Sequence, residues 1–227
     1  LENWRSIMIV RLRTIFLTVC IFLPTAQAHE PLPEHFRSRP GGSQGRVDWE
    51  PLLVGEGLEG WTQWEGETQP GAWKREGDTL IGETHGRQKA RISIGDETWQ
   101  SYELSCKMKF SRGSSFQIAF RVSDDRSSFY ALDFLYGWDA LSISRRDGDT
   151  GAFNKKSVIP FDVDKNREYE VVVAALGHSI TTHVDGIRYH QMTDENYEVG
   201  GVGFMVWHNG TVEFRDIKIR HFYKKVR

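Results

Sequence analysis

Polar and apolar side chains alternate with a period of two along most of the chain, which is the pattern of β-strands with one buried face. Residues 115–123 show it most clearly, because Phe116, Ile118, Phe120 and Val122 fall on one face of a strand. Polar or small side chains occupy the positions between them. The same alternation predicts strands at 102–110, 170–175, 202–207 and 212–219, and shorter strands at 72–75, 79–83, 91–94, 129–135 and 141–145.

Turn signals separate these predicted strands. Asp185-Gly186 stands between two alternating runs and predicts a hairpin with a type I′ turn, in which both central residues have a positive φ. Turns containing Gly are also predicted at 76–78, 147–149 and 209–210. No long helical pattern follows residue 28. Ten or more short strands with regular turns predict an all-β fold, a two-sheet antiparallel jelly-roll sandwich.

The first 28 residues have the pattern of a secretory signal peptide. Arg11 and Arg13 precede an apolar run at 14–23, and Ala26-Gln27-Ala28 predicts cleavage after Ala28. The apolar run is too short to span a bilayer unaided. The sequence therefore predicts an exported protein, periplasmic or extracellular, with no transmembrane segment once the signal peptide has been removed.

Composition divides the rest of the chain and excludes one class of partner. Pro and Gly interspersed with charged residues predict a linker at 29–46, followed by the jelly-roll domain at 47–222 and a basic tail at 223–227. The chain has 29 Lys and Arg against 31 Asp and Glu, a net charge of −2. Such a balance gives no electrostatic basis for binding nucleic acid. Cleavage removes Cys20, so Cys106 has no intramolecular disulfide partner, and nothing in the sequence indicates an oligomeric state.

Several short motifs follow one another in order along the predicted domain. The first are Gly57-Leu-Glu-Gly-Trp61, Trp73-Lys-Arg-Glu-Gly-Asp-Thr-Leu80, the strand at 102–110 and the pair Phe120-Arg121. The later ones are Tyr169-Glu-Val-Val-Val173, His183-Val-Asp-Gly186 and Val212-Glu-Phe-Arg-Asp-Ile-Lys-Ile219. This succession resembles the 3-keto-disaccharide hydrolase family, whose domains have the concanavalin A-like lectin/glucanase jelly roll.

The resemblance implies a secreted enzyme that cleaves the glycosidic linkage of sugars oxidised at C3. Three positions depart from the family pattern. The chain has Ser115-Phe-Gln117 where the family commonly has Asn-Ser-Gly, and Met205 where a late strand commonly carries Gln. It also has Ala131 where a Glu commonly follows the Tyr, which removes an acidic group.

The polar faces of two predicted strands supply the first candidate site residues. Asp133 and Arg121 are predicted to share one polar surface with Gln117, provided that the strands at 115–123 and 129–135 are neighbours. Carboxylate and amide groups of this kind bind the hydroxyls of a sugar. A surface salt bridge between Asp133 and Arg121 is the alternative interpretation.

Loops and strand ends supply the remaining candidates. Trp138 and Asp139 form the tip of a predicted loop, where an exposed indole can stack on a sugar ring. Trp207 and His208 end another predicted strand and are candidates for the rim of the same groove. A turn histidine without a functional role is the alternative for His208.

The predicted chemistry follows from the substrate that the resemblance implies. Ordinary glycosidases use two carboxylates, and the E-x-D-x-x-E strand of jelly-roll glucanases is replaced here by residues 131–136. A ketone at C3 acidifies the C2 proton, so one base and one polarising group can eliminate the glycosidic oxygen before hydration. Asp133 or His208 is the predicted base, and Arg121 is predicted to stabilise the developing enolate.

No cofactor is predicted from the sequence, and the predicted partner is a carbohydrate. His183 and His190 are predicted to lie on one face of the hairpin beside Arg188, which is a poor metal site. A calcium ion held by the acidic residues of 124–125 or 147–149 is an alternative. Two further functions remain open, a non-catalytic carbohydrate-binding module of the lectin type and a structural jelly-roll domain at the cell surface.

Overall fold

The computed structural model describes residues 48–66 and 68–222. The predicted signal peptide at 1–28, the linker at 29–46 and the basic tail at 223–227 lie outside these residues and stay predictions. The described residues form β-strands and turns, and they include no helix that could cross a membrane. The strands are β1 (Glu50–Pro51), β2 (Thr62–Gln63), β3 (Trp73–Glu76), β4 (Thr79–Glu83), β5 (Lys89–Ile94), β6 (Tyr102–Arg112), β7 (Ser115–Val122), β8 (Phe129–Leu135), β9 (Ala140–Arg146), β10 (Phe153–Pro160), β11 (Glu168–Leu176), β12 (Ser179–Val184), β13 (Ile187–Thr193), β14 (Gly201–Trp207) and β15 (Thr211–His221).

These strands form two antiparallel sheets, which confirms the predicted all-β sandwich. The eight-stranded sheet has the order β13-β12-β11-β6-β15-β4-β3, and β1 pairs with β15. The seven-stranded sheet has the order β10-β9-β8-β7-β14-β5-β2. The β12–β13 hairpin has positive φ at both Asp185 and Gly186, as the predicted type I′ turn requires.

Aromatic and aliphatic side chains from both sheets fill the space between them. The inward residues of β7 are Phe116, Ile118 and Phe120, all fully buried. Across the interface, the ring centroids of Phe204 and Phe214 lie 4.0 Å apart, and those of Phe110 and Phe116 lie 4.5 Å apart. Burial of this apolar area is the main term that favours the folded state.

The central strands of the seven-stranded sheet are also buried on their outer face. Ala119, Ala131 and Met205 point away from the main core and form a second apolar cluster with Val122, Phe129 and Trp64. Trp64 reaches this cluster from the loop that follows β2. This face is therefore partly covered by the chain itself.

A β-bulge at Arg121 changes the side-chain alternation at the end of β7. Phe120 pairs with Val202 and Val122 pairs with Gly201, so Arg121 is the extra residue, and its φ is +55°. Val122 consequently joins the outer cluster. The prediction that Val122 shares the inner face with Phe120 is wrong, because a strict period of two assumes an uninterrupted strand.

The hydroxyl of Tyr102 links the two sheets at this bulge. It accepts a hydrogen bond from the backbone N–H of Arg121 at 2.8 Å and donates one to the carbonyl of Gly201 at 3.2 Å. Tyr102 belongs to β6 of the eight-stranded sheet, whereas Arg121 and Gly201 belong to the seven-stranded sheet. Burial raises the pKa of Tyr102 to about 12, so the hydroxyl stays protonated.

We expect Tyr102→Phe to lower the free energy of unfolding by about 2 kcal/mol, because it removes both bonds at a buried position where an unsatisfied group costs about 1–3 kcal/mol. Denaturant unfolding followed by tryptophan fluorescence measures the change. Tyr189→Phe is the matched control, since the hydroxyl of Tyr189 makes no hydrogen bond to the described residues. Equal unfolding midpoints for Tyr102→Phe and the wild type would contradict the proposed link.

Candidate functional site

The outer face of the seven-stranded sheet carries two neighbouring rows of side chains in register. Side chains of directly paired residues in antiparallel strands lie on the same face. The first row, called the Asp133 row, contains Val158, Ser142, Asp133, Gln117, Met205 and Arg91. The second, called the Ala131 row, contains Lys155, Ser144, Ala131, Ala119, Gly203 and Ser93.

Asp133 is buried and accepts hydrogen bonds from three neighbouring side chains. The amide of Gln117 donates to Asp133 Oδ1, and the hydroxyls of Ser142 and Ser144 donate to Oδ2 at 2.9 and 2.8 Å. The indole N–H of Trp207 donates to Gln117 Oε1 at 3.0 Å and thereby fixes the orientation of the amide. A carboxylate has about four acceptor positions, so the network leaves about one for a ligand.

A stack of aromatic and cationic side chains borders this network on the β5 side. The guanidinium carbon of Arg91 lies 5.1 Å from the ring centroids of both Trp64 and Trp207. The ammonium group of Lys89 lies 5.8 Å from the Trp207 ring. Cation–π contacts of this kind are stronger where water is excluded, and Arg91 is buried. The Trp64–Arg91–Trp207 stack therefore forms a rigid wall.

Exposed side chains border the network on the β10 side. Trp138 is 72% exposed on the turn between β8 and β9, and the Lys155 ammonium lies 4.4 Å from its ring centroid. Val158, the end of the Asp133 row, is 52% exposed. Asp139 lies exposed in the same turn as Trp138, with its carbonyl accepting the N–H of Phe161 at 2.8 Å. We call this network, with the stack on its β5 side and the exposed rim on its β10 side, the Asp133 cleft.

Residues 48–220 match the family model described as a 3-keto-alpha-glucoside-1,2-lyase-like domain. The chain belongs to this family. The resemblance inferred from the order of the motifs is thereby confirmed, and this lyase-like domain covers both sheets of the sandwich.

Solved structures of low sequence identity share the fold of the lyase-like domain. The carbohydrate-binding module CBM66 from Bacillus subtilis is 18% identical with a TM-score of 0.60, over 71% of this chain and 95% of that chain. A prokaryotic β-1,3-1,4-glucanase from a mouse hindgut metagenome is 11% identical with a TM-score of 0.56, over 77% and 97% of the two chains. The β-glucanase of Bacillus licheniformis is 11% identical with a TM-score of 0.53, over 82% and 100%. These likenesses confirm the jelly roll.

A curated relative is larger than the lyase-like domain. The extracellular exo-alpha-L-arabinofuranosidase of Streptomyces chartreusis is 25% identical over 132 residues. The match covers 56% of this chain and 15% of that protein, so the two share a segment and not their full lengths.

Arg121 lies apart from the Asp133 network. Its guanidinium donates to the carbonyls of Gly177 at 2.8 Å and Tyr197 at 3.5 Å, and it lies 5.9 Å from the Tyr102 ring on the core side of the sheet. The prediction that Arg121 and Asp133 share one polar surface is wrong, because the β-bulge turns Arg121 away from the outer face. Arg121 anchors the β11–β12 turn and the loop before β14.

His208 lies in the turn that follows β14. It is exposed, its φ is +46°, and its backbone N–H donates to the carbonyl of Gln88 at 2.8 Å. Its ring centroid is 6.1 Å from that of Trp207. Within the described part of the chain, no hydrogen bond joins the His208 ring to the Asp133 network.

The two hairpin histidines point to opposite faces of the eight-stranded sheet. A register shift between Thr182 and His183 makes His190 pair with Thr182, while His183 pairs with Arg188. The prediction of a shared face is therefore wrong. Burial lowers the pKa of both imidazoles, for His190 to about 4, and Thr182 Oγ1 lies 2.8 Å from His190 Nδ1.

The described residues include no cluster of three or more His, Cys, Asp or Glu side chains suited to a metal ion. Two of the carboxylates proposed as calcium ligands accept hydrogen bonds from residues of their own turns. Asp125 accepts from the Ser127 N–H and hydroxyl, and Asp147 accepts from the Thr150 N–H and hydroxyl.

Three residues near Asp133 are absent from the site predicted from the sequence. Ser142 and Ser144 alternate with Leu141 and Ile143 in a predicted strand, so the period of two was a signal that could have placed them on a polar face. Lys155 had no such signal. It lies in β10, an exposed edge strand with a register shift between Lys155 and Ser157, where alternation is absent.

Burial raises the pKa of the Asp133 carboxyl to about 6. The hydrogen bonds from Ser144, Ser142 and Gln117 and the charge of Lys155 oppose this effect without cancelling it. A carboxyl of this pKa is largely ionised at neutral pH, yet it is a stronger base than an exposed aspartate. Asp133 is thus suited to accept a proton.

The stability of the domain should depend on the charge of Asp133. Its pKa is higher in the folded chain than the ordinary 3.8, so the folded state binds more protons and loses stability as pH rises from 3.8 through about 6. An asparagine has no charge to bury. It can keep the network by presenting its oxygen to Gln117 and its NH₂ to the serine hydroxyls, which can accept hydrogen bonds.

We therefore expect Asp133→Asn to gain up to about 3 kcal/mol relative to the wild type between about pH 4 and about pH 7. Denaturant unfolding at a series of pH values measures this difference. Asp78→Asn, in the exposed β3–β4 turn, serves as the control that should show no such trend. A difference between Asp133→Asn and the wild type that does not vary with pH would refute the raised pKa.

Proposed function

We propose that the Asp133 cleft binds a glycoside oxidised at C3 and that Asp133 removes the C2 proton in the cleavage of its glycosidic bond. The observation that carries this proposal is a buried carboxyl of pKa about 6, held by three side chains and bordered by exposed Trp138 and Lys155. Membership of the family of 3-keto-alpha-glucoside-1,2-lyase-like domains supports the substrate class.

Sugar recognition would use the two sides of the cleft differently. The exposed indole of Trp138 offers an apolar face for the C–H surface of a sugar ring. Lys155 donates hydrogen bonds from a position close enough to Asp133 for its charge to act on that carboxyl. The rigid Trp64–Arg91–Trp207 stack limits the position of the ring from the other side.

The chemistry requires one base and one cation. Asp133 takes the C2 proton, the electron pair forms the C1–C2 double bond by way of the C3 enolate, and the C1–O bond breaks. The departing oxygen takes a proton from water, the hydroxide so formed adds to C1, and Asp133 returns its proton to C2. Lys155 would stabilise the enolate oxygen, the role that the sequence had assigned to Arg121.

A mechanism with two carboxylates has less support. Such glycosidases place a second Asp or Glu across the scissile bond. Asp133 is the only carboxylate in the Asp133 and Ala131 rows. Elimination from a keto sugar needs only the one base that these rows provide.

A non-catalytic carbohydrate-binding module is the second candidate. Ala131 favours it, because this position lacks the acidic group that the family commonly carries. In that case the Asp133 network would bind sugar hydroxyls without transferring a proton. Both candidate functions predict that the domain binds a carbohydrate, and only the first predicts that it cleaves one.

Turnover of a panel of 3-keto-disaccharides and their parent disaccharides, with and without a chelator, separates these candidates. We expect the wild type to cleave the keto sugars, with kcat/KM rising as pH increases through about 6, because the base must be ionised. Asp133→Asn should lower kcat by at least about 100-fold with little change in Kd. Asp78→Asn is again the control. Binding without cleavage would establish the second candidate, and neither binding nor cleavage would reject both.

Trp138→Ala tests the sugar-stacking surface independently of the chemistry. We expect it to weaken binding of an uncleaved disaccharide by about tenfold, from the loss of one aromatic contact. The melting temperature should stay close to that of the wild type, because the side chain is 72% exposed. Calorimetric titration and thermal unfolding supply the two readouts. Unchanged affinity would remove Trp138 from the site.

We also infer that the domain acts outside the cytoplasm. The signal-peptide pattern at 1–28 supports this, as does the extracellular arabinofuranosidase that shares a segment with the chain. Mass analysis of the protein after expression in its native host tests it, since cleavage after Ala28 removes a defined mass.

A further inference from the structure

The indole of Trp64 lies on the outer face of the seven-stranded sheet, although Trp64 belongs to a loop. Its side chain is 4% exposed, its Nε1 donates to Ser93 Oγ at 3.0 Å, and it meets the Phe129 ring edge to face with centroids 5.4 Å apart. It packs in the same cluster as Ala119 and Ala131. The ring therefore covers the middle of the Ala131 row.

Backbone hydrogen bonds hold this loop against β5. The N–H of Trp64 donates to the carbonyl of Arg91 at 3.1 Å, and the N–H of Thr68 donates to the carbonyl of Trp64 at 3.1 Å. The Thr68 hydroxyl also donates to the Arg91 carbonyl and accepts the Arg91 N–H, both at 2.9 Å. These hydrogen bonds fix the position of Trp64 relative to β5.

Small side chains beneath Trp64 make this position available. Ala131, Ala119 and Gly203 are consecutive in the Ala131 row. A Cβ on Gly203 would lie 2.6 Å from the carbonyl oxygen of Ile92, so that strand accepts no side chain there. A large side chain in place of Ala119 or Ala131 would occupy the space of the indole, since all are members of one buried cluster.

Trp64 lies between the Asp133 network and a depression on the same face. Asp133, Ala131 and Phe129 follow one another along β8 at a period of two, and Trp64 packs in one cluster with the last two. The Asp133 cleft lies on one side of the indole. On the other side is a cleft of about 540 Å³, whose lining includes Trp64, Asp125, Ser127 and Arg146.

We propose that Trp64 limits the length of sugar that the domain contacts, by closing the Asp133 cleft towards this second depression. The proposal rests on the proposed carbohydrate function and adds a residue that keeps longer saccharides from gaining contacts beyond those of a short one. From Asp133 to Phe129 the strand covers roughly 13 Å, and without the indole a longer saccharide could extend over Ala131 and the Phe129 ring.

The test compares ligand length between the wild type and Trp64→Ala. The probes are gluco-oligosaccharides from the disaccharide to the pentasaccharide, each oxidised at C3 of the non-reducing residue. Both proteins also carry Asp133→Asn, so that the probes are not cleaved, and calorimetry measures Kd. The Trp64-containing protein should bind all lengths within about threefold, and Trp64→Ala should bind the tetrasaccharide at least about tenfold more tightly than the disaccharide.

Two further variants keep the test decisive. Trp61→Ala removes an indole from the main core, where it stacks on Phe204 at 5.6 Å, and should create no preference for length. Trp64→Leu preserves apolar packing if Trp64→Ala fails to fold, and should give an intermediate preference of about fivefold. Free indole added to Trp64→Ala should abolish the new preference by refilling the space.

The outcomes separate this proposal from the proposed function. Equal dependence on length in the presence and absence of the Trp64 indole would overturn the role of Trp64, while cleavage of the keto-disaccharide by the protein with Asp133 intact would leave the proposed function standing. Failure of every variant to bind any member of the series would overturn both.

Discussion

Burial of the central strands of the seven-stranded sheet on both faces is the constraint on which the outer surface depends. Strands β7, β8 and β14 are buried along nearly their whole length. The inner face meets this constraint with phenyl and aliphatic side chains. The outer face meets it in two ways, with small residues beneath Trp64 and with a polar network that satisfies Asp133. A buried polar group without partners would be destabilising, so Asp133 can be buried on this face only because Gln117, Ser142 and Ser144 donate hydrogen bonds to it.

The same burial gives Asp133 its chemical character. An aspartate in water would be a weak base at neutral pH, whereas desolvation here makes the charged form less favourable. The hydroxyls of Ser142 and Ser144 and the amide of Gln117 retain enough stabilisation for ionisation near neutral pH. Burial thus gives one carboxyl a raised pKa, and shifted pKa values are common among residues that transfer protons.

The sequence predicted the fold well because alternation and turn signals are local. The strands and the shared face of Gln117 and Asp133 follow from a period of two, and the type I′ turn follows from the Asp185-Gly186 dipeptide. Arg121, His183 and Val122 were misplaced because each lies at or beside a bulge, and one extra residue reverses the parity of a strand. Trp64 and Lys155 could not be placed, since a loop folded over a sheet and an edge strand without alternation leave no periodic signal.

Strand β10 has an effect on how molecules of this protein meet one another. It is an edge of the seven-stranded sheet, and an edge strand can act as a template on which a second chain adds its own strand. The register shift between Lys155 and Ser157 makes the hydrogen-bonding groups of this edge uneven, and Pro160 has no N–H to offer. The exposed Lys155 adds a positive charge that repels the same strand of a second copy. The same irregularity that removes the alternating pattern from β10 therefore protects the sheet from edge-to-edge aggregation.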